Sequence, residues 1–135
     1  MLSNEDGPTV AVLAAFADAW NRHDIDAIMA LMTTDCVFEA SAGPDVCGTR
    51  YVGYKDVRAA FIEVWTTFPD AQWRDAQHHV CGNLGLSEWT FCGTRADGAR
   101  IEVNGCDLLT FQGNKIALKN SYRKNRPPIV AMPRP

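Results

Sequence analysis

Hydrophobic residues recur at helical spacing in three segments of the N-terminal half of the chain. The first segment has apolar side chains at positions i, i+3, i+4 and i+7, which are Leu13, Phe16, Ala17 and Trp20. This spacing predicts an amphipathic helix, and Pro8 suits its first turn. Asp24 can cap a second, short helix. A third helix is expected at about 54–68, where Pro69 ends it.

β-Branched and aromatic residues, separated by turn dipeptides, dominate the rest of the chain. They predict a short strand at 36–39 and four longer strands at about 72–81, 84–95, 100–111 and 115–124. The turns between the longer strands contain the hairpin-forming pairs Gly82-Asn83, Asp97-Gly98 and Gly113-Asn114. The segment 42–53 holds three glycines and one proline and is predicted to be a loop.

The order of these elements predicts an α+β fold. Three helices come first and an antiparallel meander comes last, so the helices should pack on one face of a strongly curved antiparallel sheet. Such a sheet, closed by helices, makes a cone-shaped roll whose interior is a natural pocket for a small molecule. We predict a single domain over residues 1–135, with a core at about 9–123 and flexible tails at 1–7 and 127–135.

Composition and charge narrow the range of partners. The formal net charge is -3 and the basic residues are scattered, apart from a run at 119–126, so nucleic acid is not expected as a partner. No segment approaches the roughly 20 apolar residues of a transmembrane helix, so no membrane partner is expected. The five cysteines are odd in number and form no C-x-x-C pair, which favours reduced thiols in a cytoplasmic protein. Without a metal motif or a phosphate-binding loop, we expect neither a metal nor a cofactor.

Asp107 is the residue that most needs an explanation. It lies in an apolar strand, and burial of an unpaired carboxylate is costly. If Asp107 faces the interior, strand alternation puts Val103, Gly105, Leu109 and Phe111 on the same face. Gly105 then leaves space in front of the acid, in which a ligand could sit. The position therefore indicates a candidate binding or catalytic site.

Four stretches of the sequence together resemble one superfamily. They are AWNRHDIDAIMALMTTDCVFEA (19–40), GYKDVRAAFIEVW (53–65), EWTFCGT (88–94) and CDLLTFQGNKI (106–116). They look like the nuclear-transport-factor-2-like superfamily and, within it, the SnoaL-like group that includes polyketide cyclases, over about residues 9–123. The resemblance implies a cystatin-like α+β barrel and a homodimer that pairs through exposed sheet faces. It specifies function weakly, because the superfamily mixes several enzyme classes with proteins that have no chemistry.

The resemblance also implies a role for Asp107. In the cyclases the matching aspartate is the general acid or base, and in ketosteroid isomerases it donates a hydrogen bond to the substrate oxyanion. An apolar cone favours the protonated form of such a carboxyl by desolvation. Asp107 is accordingly our candidate for the catalytic group.

Other motifs of the better-known enzymes are absent. Steroid isomerases need a tyrosine where this chain has Phe16 and a second aspartate where it has Ala40, and Glu39 is one residue out of phase. Epoxide hydrolases of this fold need an arginine at the position of Gly105 and an aspartate on the last strand. The last predicted strand ends in Ser121-Tyr122-Arg123-Lys124 rather than the aromatic-aromatic-aspartate of many cyclases. The substrate class therefore stays open.

A histidine inside the cone could exchange protons with Asp107. His78 and His79 are adjacent, so one of them faces each side of the strand. His79 has the parity of Trp73, and we favour His79 as the catalytic partner of Asp107.

Several aromatic and small residues are candidates for the wall of the pocket. On the strand at 84–95, either Trp89 and Phe91 or Glu88 and Thr90 face inward, and hydrophobicity favours the first pair. The full set of candidate ligand-binding residues is Phe16, Trp20, Phe38, Phe61, Trp65, Trp89, Phe91, Gly105, Leu109 and Tyr122.

Two functions are compatible with this pattern. The first is a cofactor-independent isomerase, cyclase or lyase that acts on a small apolar or carbonyl-bearing ligand, with Asp107 as general acid or base. The second is a non-catalytic ligand-binding or dimerisation module of the same fold. If Asp107 serves the pocket, Asp107→Asn should leave the fold stable, whereas a structural role predicts a loss of about 1.5–3 kcal/mol.

Overall fold

The computed structural model describes residues 7–129. In chain order its elements are α1 (Val10–Asn21), α2 (Ile25–Ala30), β1 (Met32–Glu39), β2 (Arg50–Val52), α3 (Tyr54–Thr67), β3 (Gln72–Cys81), β4 (Leu84–Thr94), β5 (Arg100–Gln112) and β6 (Lys115–Arg123). Three helices and a six-stranded sheet form the α+β roll that the sequence predicts. None of the helices in this part of the chain has both the length and the apolar character needed to span a membrane.

Local signals set the ends of the helices. The hydroxyl of Thr9 accepts a hydrogen bond from the backbone of Val12 at 3.2 Å and caps α1. Asp24 caps α2 in the same way, 3.1 Å from the backbone nitrogen of Ala27. Helix α3 ends at Thr67, just before Pro69, as expected from the missing N–H of proline.

The strands lie in the order β2-β1-β6-β5-β4-β3. The hairpins β3–β4, β4–β5 and β5–β6 are antiparallel, as the turn dipeptides indicate. Strand β1 pairs in parallel with β6, and no tight turn constrains the relative direction of two strands so far apart in sequence. The predicted strand at 36–39 is the second half of the longer β1. Strand β2 lies inside the segment 42–53 that was predicted to be a loop.

A bulge in β3 changes which of its side chains face the interior. Arg74 pairs with Thr90, but the next paired residue, Gln77, is opposite Glu88, so β3 contains one extra residue. Asp75 accommodates the irregularity with a φ of 56°, in the left-handed region. After the bulge His78, rather than His79, is on the inward face.

A second register shift lies between β5 and β6. Phe111 pairs with Ile116, whereas the preceding residue Thr110 pairs with Leu118, so β6 has one extra residue. As a result Asp107 is opposite Ser121, one position later than an unbroken hairpin would place it. This shift decides which residues of β6 can reach the acid.

The main core lies between the concave face of the sheet and helices α1 and α3. Leu13, Phe16 and Trp20 of α1 and Phe61 of α3 are all buried in it. A second cluster under the far end of the sheet contains Ala71, Trp89, Phe91 and Val103. The space between these clusters is where the candidate site is found.

Candidate functional site

Asp107 is buried and accepts three hydrogen bonds. Its side chain is on the inward face of β5, and the residue is only 6% exposed. Lys119 Nζ donates to Oδ1 at 3.1 Å, Ser121 Oγ donates to the same oxygen at 2.6 Å, and Trp89 Nε1 donates to Oδ2 at 3.2 Å. The acid is therefore paired with a buried cation, as a carboxylate inside a protein requires.

Lys119 is the charged partner that the sequence analysis did not find. It is 7% exposed, and its ammonium also donates to Ser121 Oγ at 2.7 Å. The rings of Trp20, Phe38 and Phe61 surround the ammonium, with centroids 5.1, 5.0 and 5.9 Å away. Cation–π attraction and the ion pair together compensate for part of the loss of water around the charge.

A cavity of about 260 Å³ opens beside this ion pair. We call it the larger cavity, to distinguish it from a second cavity of about 20 Å³ that Asp107 lines. The aromatic wall of the larger cavity consists of Trp20, Phe38, Tyr51, Phe68, Trp73, Trp89 and Phe91. Its polar and charged lining consists of Ser41, Glu63, Thr67, Lys119, Ser121 and Arg123. It is an apolar space with a few convergent polar groups, which is typical of small-molecule sites.

Asp107 itself lines a different and much smaller space. This inner cavity, of about 20 Å³, also touches Phe16, Ser87 and Lys119. The carboxylate of Asp107 therefore lies behind Lys119 and Ser121 as seen from the larger cavity. A ligand in the larger cavity meets the ammonium before it meets the acid.

The structure distributes the candidate ligand-binding residues over three environments. Trp20, Phe38, Trp89 and Phe91 line the larger cavity, and Phe16 lines the inner one. Phe61 and Leu109 are fully buried in the core. Trp65 packs against the core and stacks on His23, with ring centroids 5.1 Å apart.

Gly105 leaves space for a protein side chain, not for a ligand. Gly105 pairs with Trp89, whose indole covers the glycine. A Cβ at this position would come within 2.5 Å of both the indole and the backbone oxygen of Tyr122. Glycine at this position thus allows the indole of Trp89 to approach β5 closely while its Nε1 donates to Asp107.

Tyr122 lies on the outer face of the sheet and is 52% exposed, so it does not reach Asp107. The residues next to it, Ser121 and Arg123, face inward instead. The extra residue in β6 explains this placement, because without it Asn120 would be opposite Asp107.

The expectation that His79 faces the interior with Asp107 is wrong, because an extra residue in β3 turns His78 inward instead. His79 is exposed, while His78 Nδ1 lies 2.8 Å from Ser87 Oγ. Burial lowers the pKa of His78, and the neighbouring His79 lowers it further. The bulge at Asp75 is the cause of the exchange, and a bulge cannot be read from the polar–apolar pattern.

Residues that the sequence analysis missed complete the site. Lys119, Ser121 and Arg123 come from β6, and Glu63 comes from α3. Lys119, Ser121 and Arg123 alternate along β6 and therefore share one face of the strand. This alternation indicates a polar wall of the cavity only when the register of the β5–β6 hairpin is known. Among residues 7–129 no three His, Cys, Asp or Glu side chains cluster as a metal site requires.

Comparisons with known proteins give the family. The model of the SnoaL-like domain matches residues 13–119, and the chain therefore belongs to the SnoaL-like family. A search of curated proteins finds no match.

Solved structures support the same fold. A Mesorhizobium loti protein of unknown function, described as NTF2-like, is 25% identical, with 85% of this chain and 89% of that chain covered and a TM-score of 0.69. A cystatin-like protein of unknown function from Xanthomonas campestris is 14% identical, with 87% and 92% covered and a TM-score of 0.77. A Pseudomonas putida protein provisionally assigned as a polyketide cyclase is 17% identical, with 90% and 92% covered and a TM-score of 0.74.

Proposed function

We propose that this protein binds a small, flat, carbonyl-bearing molecule in the larger cavity and catalyses proton transfer on it without a cofactor. The observation that carries the proposal is the buried ammonium of Lys119, which Asp107 holds against a cavity lined by aromatic rings. Aromatic walls favour a conjugated ligand, and the ammonium favours an oxygen acceptor on that ligand. The reaction class is that of an isomerase, cyclase or lyase that passes through an enolate.

In this proposal Lys119 hydrogen-bonds to the carbonyl oxygen and stabilises the negative charge that develops there as an α-proton leaves. Donors that are already oriented in a water-poor site stabilise such charge well. Asp107 and Ser121 are positioning residues, since both bond to the ammonium or to each other. In this proposal Asp107 acts through Lys119 and Ser121 and is not itself the general acid or base, because its carboxylate does not line the larger cavity.

Glu63 is our candidate for the base that removes the proton. It lines the larger cavity from α3, and within residues 7–129 it takes part in no ion pair. A carboxylate on one wall and an ammonium on another are the two groups that enolisation needs.

A second function has an observation of its own. Three buried side chains, those of Lys119, Ser121 and Trp89, donate to the carboxylate of Asp107, and a purely structural ion pair has the same arrangement. In that case the chain binds its ligand without changing it.

The test uses 1-tetralone, a conjugated bicyclic ketone with an exchangeable α-position. In deuterated buffer, the wild-type protein should accelerate loss of the proton NMR signal at C2 over buffer alone. Lys119→Gln should lose about a hundredfold or more of this acceleration, as removal of an oxyanion donor does in other enzymes. Glu63→Gln should lose it as well if Glu63 is the base.

Two further variants make the test decisive. Ala42 lies at the exposed mouth of the larger cavity, so Ala42→Trp should block both binding and exchange without disturbing the ion pair. Lys55→Gln, an exposed change on α3, should retain the activity of the wild type. Binding that Ala42→Trp blocks, without any exchange, would reject catalysis in favour of the second function. Absence of binding to the wild-type protein would reject both.

A further inference from the structure

We propose that the natural ligand carries a negatively charged oxygen group, such as a carboxylate, which binds Arg123 at the exposed end of the larger cavity. The proposal deepens the proposed function and rests on it, because it concerns the same cavity. The ligand class becomes a conjugated carbonyl compound with a carboxylate at the end opposite the carbonyl.

Arg123 is placed on the inner face of the sheet by the register of β6. It is paired with Gly105, which in turn is paired with Trp89, and its guanidinium carbon lies 4.7 Å from the ring centroid of Phe91. The residue as a whole is exposed, yet its charged end is stacked on the cavity wall. Stacking on an aromatic face leaves the edge of the guanidinium, with its N–H donors, free to bind a planar anion.

No acid of the described chain neutralises Arg123. Over residues 7–129 it forms no ion pair and donates no side-chain hydrogen bond, in contrast to Arg22 and Arg95, which pair with nearby aspartates. Burial lowers the pKa of Arg123, and no acidic neighbour counteracts that effect. A cation that has lost part of its water without gaining a partner favours an incoming anion.

The other charged side chains of the larger cavity, Lys119 and Glu63, also affect the binding of an anion. Lys119 is already neutralised by Asp107, so it adds little net attraction. Glu63 lines the same cavity and repels an anion, but it forms no ion pair with Arg123. Lys119 is buried and Arg123 is exposed. In this proposal Lys119 therefore binds the carbonyl at the inner end of the ligand, and Arg123 binds the anionic group at the outer end.

Calorimetric titration with two probes of the same shape tests the proposal. The probes are 2-naphthoate and its neutral counterpart 2-naphthamide. The wild-type protein should bind 2-naphthoate roughly tenfold or more tightly than 2-naphthamide, as a charge-assisted pair to a guanidinium predicts. Arg123→Gln should reduce this ratio to about one, and Glu63→Gln should raise it.

Lys124→Gln is the matched control, because Lys124 is the next residue and does not line the larger cavity. It should leave the ratio unchanged. If 2-naphthamide binds and the ratio is close to one in the wild type, the proposal about Arg123 fails and the proposed function survives. A ratio that Arg123→Gln does not alter would also overturn it, and a lack of binding by either probe would count against both.

Discussion

Lys119→Met should lower the free energy of unfolding by about 3–5 kcal/mol, because it leaves Asp107 charged, buried and without its cation. The side chains of both residues are only 8% exposed, so water cannot replace the lost partner. Ser121 and Trp89 would still donate to the carboxylate, but neither carries a charge. Urea denaturation followed by circular dichroism measures the effect.

A double-mutant cycle separates the ion pair from the packing of the two side chains. Asp107→Asn alone should cost about 1.5–3 kcal/mol, which is the loss that the sequence analysis associates with a structural role and not the unchanged stability of a residue that serves only the pocket. The double variant should cost clearly less than the sum of the two single changes, since no unpaired charge remains in it. Losses that simply add would contradict a coupled pair. Lys55→Met, at an exposed position of α3, should stay within about 0.5 kcal/mol of the wild type.

Phe61→Ala should destabilise the fold by a similar amount, about 3–5 kcal/mol. Phe61 is fully buried on α3, and its ring centroid lies 4.7 Å from that of Trp20 and 5.0 Å from that of Phe38. These two rings form part of the wall of the larger cavity, so the space left by the deletion adjoins the site. The loss should be visible in the same denaturation experiment, together with weaker binding of 2-naphthamide.

Tyr54→Ala provides the matched control for that change. Tyr54 is also an aromatic residue of α3 but is 42% exposed, so its truncation should alter stability by no more than about 0.5 kcal/mol. Equal losses from Phe61→Ala and Tyr54→Ala would show that the effect belongs to the helix and not to the packing under the cavity.

The fold could be predicted from the sequence because its signals are local. Thr9 and Asp24 cap helices by contacts within three residues, and Gly113-Asn114 forms the tight turn between β5 and β6. Apolar spacing then places α1 and α3 over the sheet. The short strand β2 was not predicted, because it has only three residues, which pair with β1 alone, and the glycine-rich segment around it is typical of a loop.

The site was only partly predictable, for a physical reason that concerns register. Asp107 was found because a carboxylate in an apolar strand is conspicuous. Lys119 and Ser121 were not, because the extra residue in β6 places Ser121 opposite Asp107 and Lys119 opposite Leu109, both on the inward face, and moves Tyr122 to the outer face. The bulge at Asp75 likewise exchanges the two histidines of β3. One added residue reverses the facing of a strand and leaves no mark in its composition.

The most direct test of the central claim is a crystal structure of the wild-type protein with 1-tetralone. The claim is that the ammonium of Lys119, held by Asp107, receives the carbonyl oxygen of a ligand in the larger cavity. We expect the ketone oxygen within about 3.2 Å of Lys119 Nζ, with the ring between the aromatic walls. A ligand bound elsewhere, or in the larger cavity with its oxygen turned away from Lys119, would contradict the claim.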